Sequence, residues 1–325
     1  MRIDEIGAKI IRDLLLDARK SFTQIAKECK LSTASIGERF VELEKKGVIV
    51  GSTTQVNFEL LGFTAICDFM IRIFDQTEAE QVLQYIRKIP FKIIFLGQDP
   101  RNNIVFLVGL KNINEINLLK EILRKNRNII DIKLQQWTGC RNIPENLEIL
   151  NSPKKVKSKS EDPIQTNIKV TDLKLDEVDF QIIEKLSLDS MQPFRKIAEE
   201  IGVSLKTVSK RYRILKENGI IKSTIQIDPT KLGYYAIADF MVTPASQTNL
   251  KSVIDEFMDI KDTIVMVTTT SGEYDLSVHI AIKDINQLLS TQIQVSKIIG
   301  LSKIWSSVLP IFGPLPIVRE YLTTF

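Results

Sequence analysis

The chain of 325 residues contains a long internal repeat, which limits the folds that are open to it. Residues 3–49 recur as residues 175–221, a shift of 172 positions, with 16 identities in 47 ungapped positions. Gly47 and Gly219 are one of the identical pairs. A long period with only two copies indicates a duplicated structural unit rather than a solenoid. The sequence therefore predicts two similar halves.

The segment Val203–Ile221 predicts a helix with defined ends. Ser204 suits the N-cap, because its hydroxyl can accept a backbone N–H of the first turn, and Gly219 suits the left-handed residue after the helix. Apolar residues at helical spacing can pack inward, which leaves a polar and basic outer face: Lys206, Thr207, Ser209, Lys210, Arg211 and Arg213. A solvated surface and a DNA-recognition face are both open interpretations of such a pattern.

The residues that precede this segment favour DNA recognition. Pro193–Ile201 begins with a proline suited to a first helical turn and stops at Gly202. Asp176–Leu188 predicts a third helix that closes a small core. A helix, a glycine turn and a serine-capped helix form the order of a helix-turn-helix motif.

Beyond the helices, both halves change to β-rich patterns. Val48–Phe58 and Ile220–Ile227 predict one wing for each helix-turn-helix. Each half then shows the order β-α-β-β-α-β, which is ferredoxin-like. The predicted elements are Phe63–Ile73, Thr77–Lys88, Phe91–Leu96, Ile104–Leu110, Asn114–Lys125 and Ile129–Trp137, then Tyr234–Val242, Leu250–Met258, Thr263–Thr270, Leu276–Ile282, Ile285–Ile298 and Ile304–Leu309. Helices cover one sheet face only, so we expect a second sheet to cover the other.

The predicted fold class is α+β, as a tandem repeat of a winged helix-turn-helix and a ferredoxin-like domain. The segment 151–172 between the halves is rich in lysine, proline and serine without apolar periodicity, which indicates a flexible linker. The expected domains are 1–60, 61–150, 173–230 and 231–325, joined by the linker 151–172.

Composition excludes several classes of protein. The formal net charge of +4 is too mild to indicate nucleic acid binding by itself. Cys29, Cys67 and Cys140 are far apart, so we expect reduced thiols and a cytoplasmic protein. No apolar run reaches membrane-spanning length. Neither a glycine-rich phosphate loop nor metal-ligand spacing occurs, so we expect no cofactor and no metal.

Four motifs occur in both halves: D-x5-I-I, F-x-x-I-A, S-x6-R, and G-V-I or G-I-I. In this combination the chain resembles the Lrp/AsnC family, the feast/famine regulators, over nearly its whole length. The resemblance implies binding to double-stranded DNA, dimerisation through the second domain, higher homo-oligomers, and modulation by an amino acid or similar small effector. On one chain, two such units predict an intrachain pseudo-dimer with recognition helices roughly 34 Å apart.

The two recognition helices differ in charge. Residues 205–218 carry a net charge of +4, whereas residues 33–46 carry none, so we expect the second helix to dominate DNA binding. Thr33, Ser35 and Arg39 are the candidate DNA contacts of the first helix. A scaffold or a protein interface is an equally open role for that helix.

A turn in the second half resembles the effector turn of the family. Gly272, Glu273, Tyr274 and Asp275 match its G-[DE]-Y-D pattern, so the resemblance implies effector binding by these residues. The alternative is a turn in which glycine takes a positive φ and aspartate bonds locally. The first half departs from the pattern at Gly97–Asn103.

Two other functions compete with a DNA-binding regulator. Paired chains of this kind also resemble siroheme decarboxylases, whose chemistry would require positioned histidine and arginine. His279 is the only histidine, and no His-x-Tyr-x-Arg cluster surrounds it, so we expect no enzyme. A metabolite-sensing interaction module without DNA binding is the third possibility.

Overall fold

The computed structural model describes residues 3–57, 61–99, 102–151, 174–270, 272–311 and 313–316. These residues form ten α-helices and ten β-strands. In chain order they are α1 (Glu5–Leu16), α2 (Phe22–Cys29), α3 (Thr33–Lys45), β1 (Ile49–Val56), β2 (Ala65–Ile73), α4 (Ala79–Arg87), β3 (Lys92–Gln98), β4 (Ile104–Leu110), α5 (Glu115–Arg124), β5 (Ile129–Asn142), α6 (Glu177–Leu188), α7 (Phe194–Ile201), α8 (Leu205–Glu217), β6 (Ile221–Ile227), β7 (Ala236–Pro244), α9 (Leu250–Asp259), β8 (Thr263–Thr269), β9 (Leu276–Ile282), α10 (Ile285–Ser296) and β10 (Leu301–Pro310).

Helices α1–α3 form the first head, and α6–α8 form the second head. Ser204 caps α8, because its Oγ accepts the backbone N–H of Thr207 at 3.0 Å. Gly202 ends α7 and Gly219 follows α8, both with a left-handed backbone (φ 74° and 69°). The helix-turn-helix prediction is confirmed.

Strands β1 and β6 pair with each other, antiparallel, from Ile49 opposite Ile227 to Val56 opposite Ile221. The sequence predicts one wing for each head. In the structure the two strands are each other's partners, so the wing is a single ribbon shared by both heads. Each head supplies one strand. The backbone N–H and C=O groups of that strand form hydrogen bonds with the strand from the other half of the chain.

Each half then forms a four-stranded antiparallel sheet with two helices on one face, as predicted for a ferredoxin-like domain. The two sheets are hydrogen-bonded edge to edge, in the order β10-β7-β9-β8-β5-β2-β4-β3. Strand β5 was expected to end at Trp137 but continues to Asn142, because its last residues pair with β8 of the other half. This strand joins the two domains into an intrachain pseudo-dimer.

The heads pack on the opposite domains. The first head shares an apolar core with β6–β9, including Tyr234 and Ile264. The second head shares a core with the first half, including Phe63 and Ile94. Separate cores lie between each sheet and its own helices. Each head therefore packs against the ferredoxin-like domain of the other half of the chain.

The expected linker at 151–172 lies, apart from Asn151, outside the described residues. Among the helices that the structure describes, none combines the length and apolar character needed to cross a membrane.

Candidate DNA-binding surface and ligand sites

The outer face of α8 carries three exposed cations at positions that fall on one side of a helix. Lys206, Lys210 and Arg213 lie at i, i+4 and i+7, and we call them the basic stripe. Arg213 Nε lies a loose 3.9 Å from Glu217 Oε1 in a pair that is exposed on both sides. Ser209 is exposed beside the stripe. Three cations on one side of a recognition helix suit phosphate contact and base-edge contact.

Arg211 differs from the stripe residues, because it is partly buried and has ion-pair partners within the protein. Its guanidinium donates to Asp176 Oδ2 at 2.7 Å and to Asp179 Oδ2 at 2.8 Å, both at the start of α6. The hydrogen bond to Asp176 raises the pKa of Arg211, while partial burial opposes it. Arg211, a predicted DNA contact, therefore ties α8 to α6 in the structure, and its role in DNA binding stays a prediction.

The two hydroxyls at the start of α8 also have structural partners. Ser204 Oγ caps the helix, and it lies 2.8 Å from Thr207 Oγ1. Both residues lie at the helix N-terminus, where backbone N–H groups favour a phosphate. If these hydroxyls contact DNA, they do so while also forming the hydrogen bonds of the N-cap.

The first head reproduces the internal bonds of the second. Ser35 lies 3.0 Å from the capping Ser32, and Arg39 contacts Asp4 at 2.5 Å, as Arg211 contacts Asp176. Thr33 is exposed at the start of α3. Arg39 is therefore the counterpart of Arg211 in its ion pair, and a DNA contact by Arg39 stays a prediction.

The basic stripe has no cationic counterpart in the first head. The positions that correspond to Lys206, Lys210 and Arg213 are Ala34, Glu38 and Val41, and all three are exposed. The overall charge of the two helices differs for this reason. The charge difference was predicted from the sequence but the stripe was not, although a position-by-position comparison at a shift of 172 shows it.

The two heads are fixed to each other by side chains from the loop after α1. Arg19 lies over the ring of Phe194 at 4.0 Å and donates to the Gln192 carbonyl at 2.6 Å. Lys216 of α8 pairs with Asp17 at 2.7 Å. These contacts restrict the distance between the recognition helices.

The predicted effector turn lies against the first half of the chain. Glu273 pairs with Lys133 of β5 at 3.1 Å, and the Tyr274 carbonyl accepts a hydrogen bond from Thr269 Oγ1. Gly272 does not take a positive φ. Instead, a Cβ at this position would lie 2.6 Å from Gln135 Cγ, so glycine permits the close approach of β5. The Asp275 bonds that the structure shows are made by its backbone, to Val242 and Thr269.

A polar cluster occupies the helix-free side of the sheets. His279 Nε2 lies 3.3 Å from Asp239 Oδ1, and Ser277 Oγ lies 3.2 Å from the same oxygen. Asp68, the counterpart of Asp239, has a buried Oδ1 without a hydrogen-bond partner in the described part of the chain. Burial raises the pKa of Asp68 to about 7, and nearby His279 opposes the rise. Asp68 belongs to the first half of the chain and His279 to the second, so the two halves lie close together at this cluster.

Comparison with known proteins agrees with this architecture. The description "AsnC-type helix-turn-helix domain" matches residues 175–216, and "Winged helix-turn-helix DNA-binding" matches residues 3–50. The chain is 36% identical over 115 residues to the HTH-type transcriptional regulator FL11 of Pyrococcus horikoshii, covering 35% of this chain and 75% of that protein. It is 31% identical over 139 residues to LrpA of the same organism, covering 42% and 96%.

The fold and these matches define a DNA-binding regulator with two helix-turn-helix heads that share one wing. The chain belongs to the Lrp/AsnC family of transcriptional regulators. The expected fold class and the regulatory function are confirmed.

A solved structure matches the tandem arrangement. The siroheme decarboxylase NirDL covers 96% of this chain and 92% of its own, with a TM-score of 0.61 and 14% sequence identity. At this identity the likeness shows the fold alone. The family relatives are regulators, which supports the expectation that the chain is not an enzyme.

Proposed function

We propose that the second head supplies most of the DNA affinity of this regulator, through the basic stripe in the major groove. The observation that carries the proposal is the contrast between Lys206, Lys210 and Arg213 and the uncharged or acidic residues at the same positions of the first head. Lysine and arginine release counterions from DNA, whereas alanine, valine and glutamate do not.

A salt titration of DNA binding tests this role. The triple variant Lys206→Ala/Lys210→Ala/Arg213→Ala is compared with the intact protein on promoter fragments selected by the protein itself. Each phosphate contact contributes about 0.9 to the slope of log K against log salt, so we expect the slope to fall by roughly 2 to 3.

A matched control removes the same charge elsewhere. Lys88, Arg124 and Lys125 are exposed cations of the first ferredoxin-like domain, distant in sequence from the heads. Their triple alanine variant should keep the slope of the intact protein. Equal slopes for the intact protein and the stripe variant would refute the proposed role of the stripe.

An amino acid or a related metabolite is the proposed effector, bound near Gly272, Glu273, Tyr274 and Asp275. Support comes from the match to the family turn and from its contact with β5 of the first half, which would let a ligand act on both domains. A thermal-shift panel of the twenty amino acids tests this, with Asp275→Ala as the variant. An amino acid that stabilises the intact protein should not stabilise the variant. If none of the amino acids shifts the unfolding temperature, the protein binds DNA without an amino-acid effector.

The proposed setting is the cytoplasm, where the regulator reaches DNA. Homo-oligomers built from the intrachain pseudo-dimer are part of the proposal, because the family relatives resemble single halves of this chain. Light scattering coupled to size-exclusion chromatography measures the oligomeric state.

A further inference from the structure

The outer face of α10, in the second ferredoxin-like domain, is apolar. Ile285, Leu289 and Ile293 follow one another at intervals of four residues, so they form a single ridge along the helix. The three residues are 63%, 51% and 56% exposed, whereas Val295 of the same helix is buried in the core of the domain. The apolar ridge therefore points away from the core that α10 covers.

Two residues of the end strand β10 extend this apolar face. Ile304 and Val308 stand directly opposite Val242 and Ala238 of β7, which belong to the core between the sheet and its helices. Opposed residues of an antiparallel pair point to the same face, so Ile304 and Val308 lie on the helix side of the sheet, where both are exposed. Ile299 is exposed in the loop between α10 and β10. We call the set the apolar outer surface: Ile285, Leu289, Ile293, Ile299, Ile304 and Val308.

The apolar outer surface is large for a protein that stays alone. Six aliphatic residues that are about half exposed or more present several hundred Å² of apolar area. The largest apolar patch of a typical monomer is about 300–600 Å² and often has a function. A stable protein interface buries about 800 Å² on each partner, including its polar rim. The surface is therefore large enough to form the apolar centre of such an interface.

The charges around α10 suit a second copy of the same helix. No aspartate, glutamate, lysine or arginine occurs from Ile285 to Ser296, and depletion of charge is typical of the centre of an interface. Asp284 caps the N-terminus of α10, and Lys297 follows its C-terminus. When two copies of α10 lie antiparallel, Asp284 of each chain comes to the same end as Lys297 of the other. The helix dipoles also oppose each other in this arrangement.

The first ferredoxin-like domain does not carry such a surface on α5. At the shift of 172, three residues of the apolar outer surface have polar or charged counterparts, and all three counterparts are exposed: Asn117 for Leu289, Glu121 for Ile293 and Arg127 for Ile299. Each chain therefore has this surface once. An isologous contact through one surface per chain closes after two chains.

We propose that the apolar outer surface is the contact between two copies of this chain, with the two α10 helices antiparallel across a twofold axis near Leu289. Ile285 then lies opposite Ile293 of the second copy, and Leu289 lies opposite its own equivalent. The proposal rests on the proposed homo-oligomer and gives it a surface, an orientation and a limit of two chains. Such a pair carries two basic stripes, so two second heads can engage DNA together.

Light scattering coupled to size-exclusion chromatography on the full chain, without DNA, tests the contact. The intact protein should have twice the mass of one chain. Leu289→Glu places two carboxylates together at the twofold axis, so the dissociation constant of the pair should rise at least about hundredfold and the variant should run as a single chain. Leu118→Glu is the matched control, because Leu118 of α5 is 51% exposed, as Leu289 is, and this variant should remain paired.

The outcomes separate this proposal from the more general homo-oligomer. A Leu289→Glu protein that stays paired would move the contact elsewhere and leave the homo-oligomer intact. Dissociation by Leu118→Glu would place the contact on the first domain. An intact protein that remains a single chain at every concentration would overturn both proposals, and assemblies of more than two chains would overturn the limit of two. Because both glutamates replace exposed leucines, each variant should keep the unfolding midpoint of a folded chain.

Cysteine cross-linking tests the orientation of the helices. A mixture of Ile285→Cys chains and Ile293→Cys chains should form a disulfide-linked pair under a mild oxidant, because these positions face each other in the antiparallel arrangement. Each variant alone should form no more cross-linked product than the intact protein, whose Cys29, Cys67 and Cys140 set the background. Cross-linking of each variant alone, but not of the mixture beyond that level, would show parallel helices and overturn the antiparallel contact.

Discussion

Arg211 and Asp176 form an ion pair of 2.7 Å that joins the recognition helix α8 to the residue that caps α6. Asp176 Oδ1 accepts the backbone N–H of Asp179, while its Oδ2 accepts from Arg211. One carboxylate therefore starts α6 and fixes the rotation of α8. Arg39 and Asp4 repeat this relationship in the first head. The pair orients the helix so that the basic stripe faces outward.

The first prediction separates orientation from DNA contact. Arg211→Met keeps the length and helix propensity of the side chain but removes both ion pairs. We expect the unfolding midpoint to fall by several degrees, because the variant leaves the buried Asp179 carboxylate without its cation, whereas loss of the exposed pair with Asp176 costs little. The salt slope of DNA binding should stay as in the intact protein.

Lys210→Met is the matched variant, because Lys210 is exposed on the same helix without an ion-pair partner among the described residues. It should keep the midpoint and lower the salt slope by about 1. If Arg211→Met lowered the slope as much as Lys210→Met does, Arg211 would be a DNA contact after all.

The ends of the helices could be predicted from the sequence because their causes are local. Ser204 acts on Thr207 within one turn, and Gly219 comes two residues after the last residue of α8. The orientation of the Arg211 side chain depends instead on its ion pair with Asp176, which lies 35 residues upstream in the sequence. Helical periodicity alone cannot separate an outward arginine from one at the edge of the face.

The pairing of β1 with β6 could not be predicted from the sequence either. Nothing in Ile49–Val56 distinguishes a neighbouring hairpin partner from β6, which lies more than 160 residues further along the chain. The extension of β5 beyond Trp137 has the same origin, because its partner β8 belongs to the other half. Local patterns predict that a strand exists, and tertiary packing decides what it pairs with.

The second prediction concerns Asp68. Burial raises its pKa from an ordinary value near 3.8 to about 7, so the folded state favours the protonated acid. The stabilisation is complete below pH 4 and is lost as pH rises towards and through 7. Asp68→Asn stays neutral at every pH. The variant should therefore have the higher unfolding midpoint at pH 8, and the difference should shrink towards pH 4.

His279 and Asp239 face the same region and are unchanged in the variant, so the difference between the two midpoint curves reports on the replacement of Asp68. Glu121→Gln, at an exposed carboxylate of the same domain, should shift the midpoint equally at both pH values or not at all. A constant difference between Asp68→Asn and the intact protein across pH 4 to 8 would show that Asp68 is ionised throughout.

The third prediction transfers the basic stripe to the first head. Ala34, Glu38 and Val41 are exposed, so Ala34→Lys/Glu38→Lys/Val41→Arg should cost little stability. Arg19 and Lys216 hold the two heads together, so the first head should face the DNA when the second does. The grafted protein should bind DNA more tightly, with a salt slope steeper by roughly 2 to 3.

The graft is most informative in the protein that lacks the original stripe. Placed on Lys206→Ala/Lys210→Ala/Arg213→Ala, it should restore the salt slope, because the number of cations near the phosphates is again three. Sequence preference should not return with it, since base contacts depend on the geometry of α8 rather than on charge alone. Competition between selected and random DNA measures that preference. A graft that leaves the slope of the stripe-less protein unchanged would place α3 away from DNA and favour a scaffolding role for the first head.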